Sequence, residues 1–242
     1  MSIIERRECP VCSTEGGDLR QERWRECPRC RLWYQFSFER LPELEDLENN
    51  VRRNYHTDKK TDDFDIRFEE KRSSHTRRRD VLLKHANLVR SVCELGFGGG
   101  ILLRLLYESG RYACGIEVVR RYVTHANMAG YEAFWCDVSK RLPSGLTQPV
   151  DLVVGSEMME HVERPVDFLR GARNLVRRRD GLGAFSFAVP DGRSRETFLS
   201  SSSELQYWRE DSIREVVKRS GWHLFDIKVG STVAFAWLTV EE

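Results

Sequence analysis

The sequence predicts an α/β protein: a mostly parallel, seven-stranded sheet ending in an antiparallel hairpin, preceded by a small cysteine-rich module. Three observations carry that expectation. Four of the seven cysteines fall within the first 30 residues, as two Cys-x-x-Cys pairs. From residue 67 onward, short apolar runs alternate with segments whose apolar residues recur at helical spacing. The last two apolar runs are joined only by Gly230-Ser231, too short for a crossover helix, so they must pair antiparallel.

Size and composition set the outer limits. A chain of 242 residues accommodates one full domain and a small module. At 40% hydrophobic residues it can bury a sizeable core, which excludes wholesale disorder. No apolar run approaches the roughly 18 residues of a membrane span. The opening MSIIERRECP has charges with no apolar stretch after them, so the expectation is a cytoplasmic protein away from the membrane. A net charge of +1 gives no global pull toward nucleic acid. The local clusters Arg77-Arg78-Arg79 and Arg177-Arg178-Arg179 are expected on solvated helical faces.

Cys9-Pro-Val-Cys12 and Cys27-Pro-Arg-Cys30 are separated by 14 residues. Two such turns at this distance form the pattern of a zinc ribbon, each aiming two thiolates at one tetrahedral ion. Four protein ligands leave no open position, so the metal would be structural. It would supply folding energy to a module too small to hold a core by itself. Redox-active or idle cysteines are the competing reading. Ser13 and Arg31 follow the two pairs, where ribbons often place glycine for a left-handed turn. Cys93, Cys114 and Cys136 sit in apolar runs and are expected to be buried. The expected organisation is a ribbon over 1–40, an acidic linker or lid over 41–66 (LPELEDLENN, TDDFD), and the α/β domain over 67–242.

That domain opens with a charged helix over 67–87, whose apolar end is Val81, Leu82 and Leu83. Strands are expected at 91–95 (SVCEL), 112–116 (YACGI), 131–136 (YEAFWC), 151–155 (DLVVG), 182–189 (LGAFSFAV), 222–229 and 232–240. Helices are expected from Ile101, over 119–129, over 165–177 and over 209–219. Strands alternating with helices imply βαβ units and a parallel sheet.

The first of these strands runs into Gly96-Phe-Gly-Gly-Gly100. A dinucleotide turn, G-x-G-x-x-G, would need glycine at 101, where Ile101 stands. Glu94, just ahead of the turn, would repel a pyrophosphate but can meet an ammonium group. Glu117 closes the next strand, where an acid can accept from ribose hydroxyls. Asp137 closes the third and can accept from an exocyclic adenine amine, or alternatively cap a helix. Three successive strand ends thus offer groups for an amino acid, a ribose and an adenine, which is the layout of S-adenosylmethionine.

Over roughly residues 67–242 the chain resembles the class I S-adenosylmethionine-dependent methyltransferases. ELGFGGG resembles the family's first motif, GIE its second and CDV its third. DLVVGSEMMEHVERP resembles the fourth-strand segment of a small-molecule subgroup in which E-x-x-E-H-V is common. A zinc ribbon ahead of such a domain is similar to methyltransferases of polysaccharide, deoxysugar and natural-product pathways. The resemblance implies a Rossmann-like sheet, with Glu94, Gly96 and Gly98 at the methionine end of the cofactor and Glu117 at the ribose. It places Asp137 and the Val138 amide at the adenine, and Ser156 and Glu157 beneath the sulfonium.

On the acceptor side, His161 is the candidate base, since imidazole titrates near working pH; a packing or capping role is the alternative. Glu157, Glu160 and His161 together also form a candidate site for a hard metal. Tyr55 and His56 are candidate lid residues, and Arg193 and Arg195 candidate contacts for an anionic substrate. The leading reading is methyl transfer to a small-molecule acceptor in a biosynthetic pathway. An RNA methyltransferase and a non-catalytic docking protein are the rivals. The balanced charges of the ribbon and the absence of an N-P-P-Y-type tetrapeptide disfavour RNA. Trp24, Trp33 and Tyr34 leave a homodimer contact open.

Overall fold

The computed structural model describes residues 3–21, 23–39, 64–190 and 204–240. Tyr55, His56, Arg193, Arg195 and nearly all of the 41–66 segment lie outside the described residues.

The N-terminal module is built from strands of three or four residues. β1 (Ile3–Glu5) pairs antiparallel with β5 (Ser37–Glu39), placing Ile4 opposite Phe38. β2 (Asp18–Gln21), β3 (Trp24–Glu26) and β4 (Trp33–Gln35) form an antiparallel meander. Its fourth strand comes from far downstream, at Gln206–Tyr207. Trp24, Leu32 and Tyr34 are buried almost completely, and Trp24 packs against Tyr207 with ring centroids 5.1 Å apart. Aromatic residues for which the sequence leaves a homodimer contact open are therefore covered by the chain's own downstream segment.

Helix α1 (Phe64–His85) leads into the α/β domain. Leu82 on it is fully buried, and the His85 ring stacks on Trp237 at 5.1 Å. Then follow β6 (Ser91–Leu95), α2 (Ile101–Glu108), β7 (Tyr112–Glu117), α3 (Arg120–Met128), β8 (Glu132–Trp135) and β9 (Leu152–Gly155). The chain continues through α4 (Pro165–Arg173), β10 (Leu182–Ala188), β11 (Gln206–Tyr207), α5 (Glu210–Ser220), β12 (His223–Val229) and β13 (Val233–Thr239).

The large sheet has the order β12-β13-β10-β9-β6-β7-β8. β8, β7, β6, β9 and β10 run parallel, and β13 lies antiparallel between β10 and β12. The seven strands and the antiparallel end pair agree with the sequence expectation. From β6 the chain moves outward to β7 and β8, then returns to add β9 on the other side. This reversal puts a crevice at the carboxyl ends of β6 and β9, where open α/β sheets bind ligands.

Two sequence expectations need correction. α4 stops at Arg173 rather than near 177, because Val176 leaves the helix to bridge Val150 and the Arg177 N–H donates to Val150 O at 3.0 Å. Arg177 then pairs with Asp151 at 2.9 Å, so the second arginine cluster is not a helical face. Neither is Arg78 a solvated helical charge: it is one-quarter exposed and turned toward the crevice, as described below.

The core fills both sides of the sheet. Phe185 is fully buried between Phe168 and Trp222, with edge-to-face centroid distances of 6.4 and 6.5 Å. Such a side chain contributes roughly 1.5–3 kcal/mol through burial alone. α4 approaches the turn after β8 closely at Gly171, where a Cβ would fall 1.9 Å from Val138 O. Cys93 and Cys114 are buried in β6 and β7, and Cys136 is buried just past the end of β8.

Candidate active site

The turn after β6 is held by its neighbour strand. Gly96 N–H donates to Ile116 O at 2.8 Å, and Gly98 N–H donates to Glu117 Oε2 at 2.9 Å. Gly96 and Gly98 have φ of 66° and 54°, the left-handed region that a β-carbon disfavours. A Cβ on Gly98 would meet nothing within 4 Å, so its α-carbon faces open space. One on Gly96 would lie 3.3 Å from the Met158 sulfur. The sequence reading passed over Met158. Its position, three residues past the end of β9, was the available signal.

Glu94 is 4% exposed, and its Oε2 is buried without a hydrogen-bond partner. Burial pushes its carboxyl up to about 8, against the opposing pull of Arg78 and a backbone bond from Leu103. An orphaned carboxylate oxygen beside a glycine turn costs free energy unless a cation reaches it. Arg78, from α1, donates to Glu157 Oε1 at 2.9 Å and also acts on Glu94. One turn earlier on the same helix, the half-buried His75 has a buried, unpartnered Nδ1. Burial, with Arg78 adding to it, lowers the His75 pKa. Neither Arg78 nor His75 could be tied to the site from the sequence, because only the packing of α1 aims them there.

Glu117 is 6% exposed. Its Oε1 accepts from Val118 N–H at 2.7 Å and from Val119 N–H at 3.0 Å, while Oε2 accepts from Gly98. Burial raises its pKa, and these three amides oppose the shift. A carboxylate has about four acceptor positions, so about one remains, on Oε2. Asp137 Oδ1 accepts from Ser139 N–H at 3.0 Å and Ser139 Oγ at 2.6 Å, and Lys140 lies 3.8 Å from Oδ2. Asp137 thus closes its own turn, and no helix follows it for the cap weighed from the sequence. Val138 is buried beneath α4.

After β9, Ser156 Oγ is buried without a partner. Glu157 has φ 52°, and its N–H donates to Ser186 Oγ of β10 at 2.7 Å. Holding a non-glycine residue there costs about 1 kcal/mol or more. The Glu157 side chain is 62% exposed and engages Arg78, so it lies at the rim rather than inside. Glu160 is 7% exposed with Oε2 unpartnered. Burial raises its pKa, His161 opposes this, and Glu157 and Glu204 add to it. His161 is half-buried, and its N–H donates to Met158 O at 2.9 Å. Among the described residues, the donor atoms of Glu157, Glu160 and His161 do not converge on one point as metal ligands would.

The four cysteine sulfurs do converge. Those of Cys9, Cys12, Cys27 and Cys30 all lie within 4.8 Å of one another, and all four residues are buried. The two turns repeat each other: Ser13 N–H donates to Cys9 O, and Arg31 N–H to Cys27 O, both at 3.0 Å. Ser13 and Arg31 have φ of 56° and 62°, so both enter the left-handed region without the expected glycine. Cys30 N–H points at Cys27 Sγ at 3.5 Å. A buried, soft, four-thiol donor set with amides turned toward its sulfurs fits one tetrahedral metal ion.

A model of a methyltransferase domain matches residues 66–226, more than half of the chain. A ubiquinone biosynthesis O-methyltransferase of Chromobacterium violaceum is 26% identical over 121 residues, 48% of this chain and 52% of that protein. A protein of the same name from Roseobacter denitrificans is 21% identical over 164 residues, 60% of this chain and 66% of that protein. The match therefore spans between half and two-thirds of the length of these curated relatives. The crystal structure of magnesium protoporphyrin IX methyltransferase from Synechocystis PCC 6803 with bound S-adenosylhomocysteine superposes with a TM-score of 0.57. That likeness covers 80% of this chain and 94% of the other at 16% identity, and so speaks to the fold. With the strand order, the glycine turn and the family match in agreement, the chain belongs to the methyltransferase-domain family.

Proposed function

We propose that this chain transfers a methyl group from S-adenosylmethionine to a small-molecule acceptor at the crevice between β6 and β9, with its four-cysteine cluster holding a structural zinc ion. The observation that carries the reading is the buried, unpartnered Glu94 carboxylate beside the Gly96–Gly98 turn. S-adenosylmethionine brings a methyl group already activated on a sulfonium. Glu94 holds its ammonium, and Arg78 is placed to meet its carboxylate. The remaining acceptor position of Glu117 takes a ribose hydroxyl. The Val138 amide reads the adenine, and Asp137, which keeps its turn closed, supports that amide. Met158 and Ser156 line the floor where the sulfonium lies.

What the chain must then supply is orientation and a proton acceptor. His161 takes the acceptor's proton, with the buried Glu160 as its neighbour in the chain. The names of the curated relatives support a hydroxyl on a small molecule as the methylated group. The ribbon favours this over RNA. Its Trp24, Trp33 and Tyr34 are buried, Arg6 and Arg25 lie over the Phe38 and Phe36 rings, and Arg31 pairs with Glu26. None of these groups is left as a base-stacking platform.

Calorimetric titration with S-adenosylmethionine and S-adenosylhomocysteine, with NAD as the control, tests the reading. Micromolar binding of the first two and none of NAD is expected. Absence of binding by both would reject the proposal.

A further inference from the structure

We propose that Gln206 is a positioning residue that ties the cysteine ribbon to the loop carrying Glu157, Glu160 and His161. This inference rests on the reading of that loop as the acceptor side of the active site. The ribbon then acts as a buttress for the chemistry, not as an independent docking module.

The connection runs through a few peptide units. Cys27 N–H donates to Leu32 O at 2.9 Å, and three residues after Cys30 the chain enters β4. β4 pairs antiparallel with β11, with Tyr34 opposite Gln206 and Trp33 opposite Tyr207. The Leu205 peptide is shared between the two halves: its C=O accepts from Gln35 N–H at 2.9 Å, and its N–H donates to Glu160 O at 2.7 Å. Gln35 Nε2 adds a bond to Glu204 O at 2.8 Å.

Gln206 links to the loop through its side chain. Its side chain is fully buried, and its Nε2 donates to Met159 O and to Val162 O, both at 2.7 Å. Both amide protons therefore bracket Glu160 and His161 from behind. Arg6, at the start of the ribbon, donates to Glu163 O at 2.5 Å and closes the same loop from its far end. Beyond β11, Trp208 N–H anchors to Ala188 O at 2.8 Å, at the end of β10.

A strand of two residues does not persist unaided. β11 is held by β4 on one side and by the 159–163 backbone on the other. β4 in turn belongs to a module whose strands are three or four residues long and whose order depends on the cysteine cluster. Glu160 needs such support, because its buried Oε2 has no partner and must be held where it is by the backbone. The cofactor turn lies outside this chain of bonds. Gly96, Gly98 and Glu117 are held by Ile116, Val118 and Val119.

Amide hydrogen exchange on the full chain tests the tie, and it needs neither cofactor nor acceptor. Gln206→Met keeps the bulk and removes the donors; Gln206→Ala is the second variant. A third arm strips the metal from the wild type with a chelator. In each arm the amides of Leu205 and His161 should exchange about tenfold faster or more, while those of Gly98, Val118 and Val119 keep their protection. Affinity for S-adenosylmethionine should stay within about twofold, and once an acceptor is known, kcat should fall without a change in KM for the cofactor. Unchanged exchange at Leu205 and His161 would overturn the proposal. So would an equal loss of protection at Gly98 and Val119, which would mark a general loosening of the fold. Failure to bind S-adenosylmethionine at all would count against the proposed function and leave the exchange result standing.

Discussion

Glu94→Gln should flatten the pH dependence of cofactor binding. Burial pushes the Glu94 carboxyl up to about 8, so it is largely protonated at neutral pH. An ammonium group needs the carboxylate, so binding S-adenosylmethionine must release a proton below pH 8, and affinity must rise with pH. With a carboxyl of pKa about 8, the ionised fraction is about 1% at pH 6 and about 10% at pH 7. The apparent Kd should therefore tighten nearly tenfold across that one unit, equivalent to ~1.4 kcal/mol. The cofactor's α-amine stays mostly protonated in this window, so it does not mask the effect. Glu117, whose pKa burial also raises, can add only in the same direction. Calorimetry at pH 6 and 7, in two buffers of different ionisation enthalpy, measures both the slope and the proton released. The variant should show neither, and at pH 7 it should bind more weakly. A wild-type Kd that does not move between pH 6 and 7 would refute the assignment of Glu94 to the ammonium.

The same residue affects stability in the opposite sense. The folded pKa lies above the unfolded value of about 4.5, so its contribution is present below that value and is lost as pH rises toward 8. Without cofactor, Glu94→Gln should melt above the wild type at pH 8, and the difference should vanish near pH 4. Gly171→Ala would push a Cβ to 1.9 Å from Val138 O and separate α4 from the turn after β8. A loss of about 3 kcal/mol or more in denaturant unfolding is expected, and a near-neutral variant would contradict that packing. Elemental analysis should find one zinc per chain, and Cys27→Ser should lower both metal content and thermal stability; freshly purified, unchelated protein without metal would reject the cluster as a binding site. His161→Ala should slow methyl transfer by about 10²–10⁴ with little effect on cofactor affinity, whereas a near-wild-type rate would reduce it to a packing residue.

Much of the sheet could be read in the chain because its central strands β6, β9 and β10 are buried on both faces. Cys93, Val153 and Phe185 sit in apolar runs bounded by glycine or charge, and such runs announce themselves without tertiary context. The antiparallel end pair followed from loop length alone, and the two cysteine turns from ligand spacing. Helix ends were less legible: α4 was overrun by four residues because the Val150–Val176 bridge competes with it from a distant part of the sequence. The candidate site was legible where the backbone itself carries it, at the glycine turn after β6 and the acids Glu94 and Glu117 beside it. It was not legible where a side chain arrives from elsewhere. Arg78 and His75 lie on a helix whose charged sequence suggests only solvent, and Met158 is an unremarkable apolar residue until it is seen against Gly96.

The sequence by itself determined that this is an α/β protein with a four-cysteine module, and where along the chain its glycine turn lies. These depend on period, spacing and residue type, which are local and survive in one dimension. Only the tertiary structure decided that the module and the domain share a sheet through β4 and β11, that α1 turns Arg78 toward Glu94 and Glu157, and that Asp137 closes its own turn. Each of those outcomes is a competition between partners far apart in the sequence. Burial and hydrogen-bond geometry settle such competitions only once the chain has closed on itself.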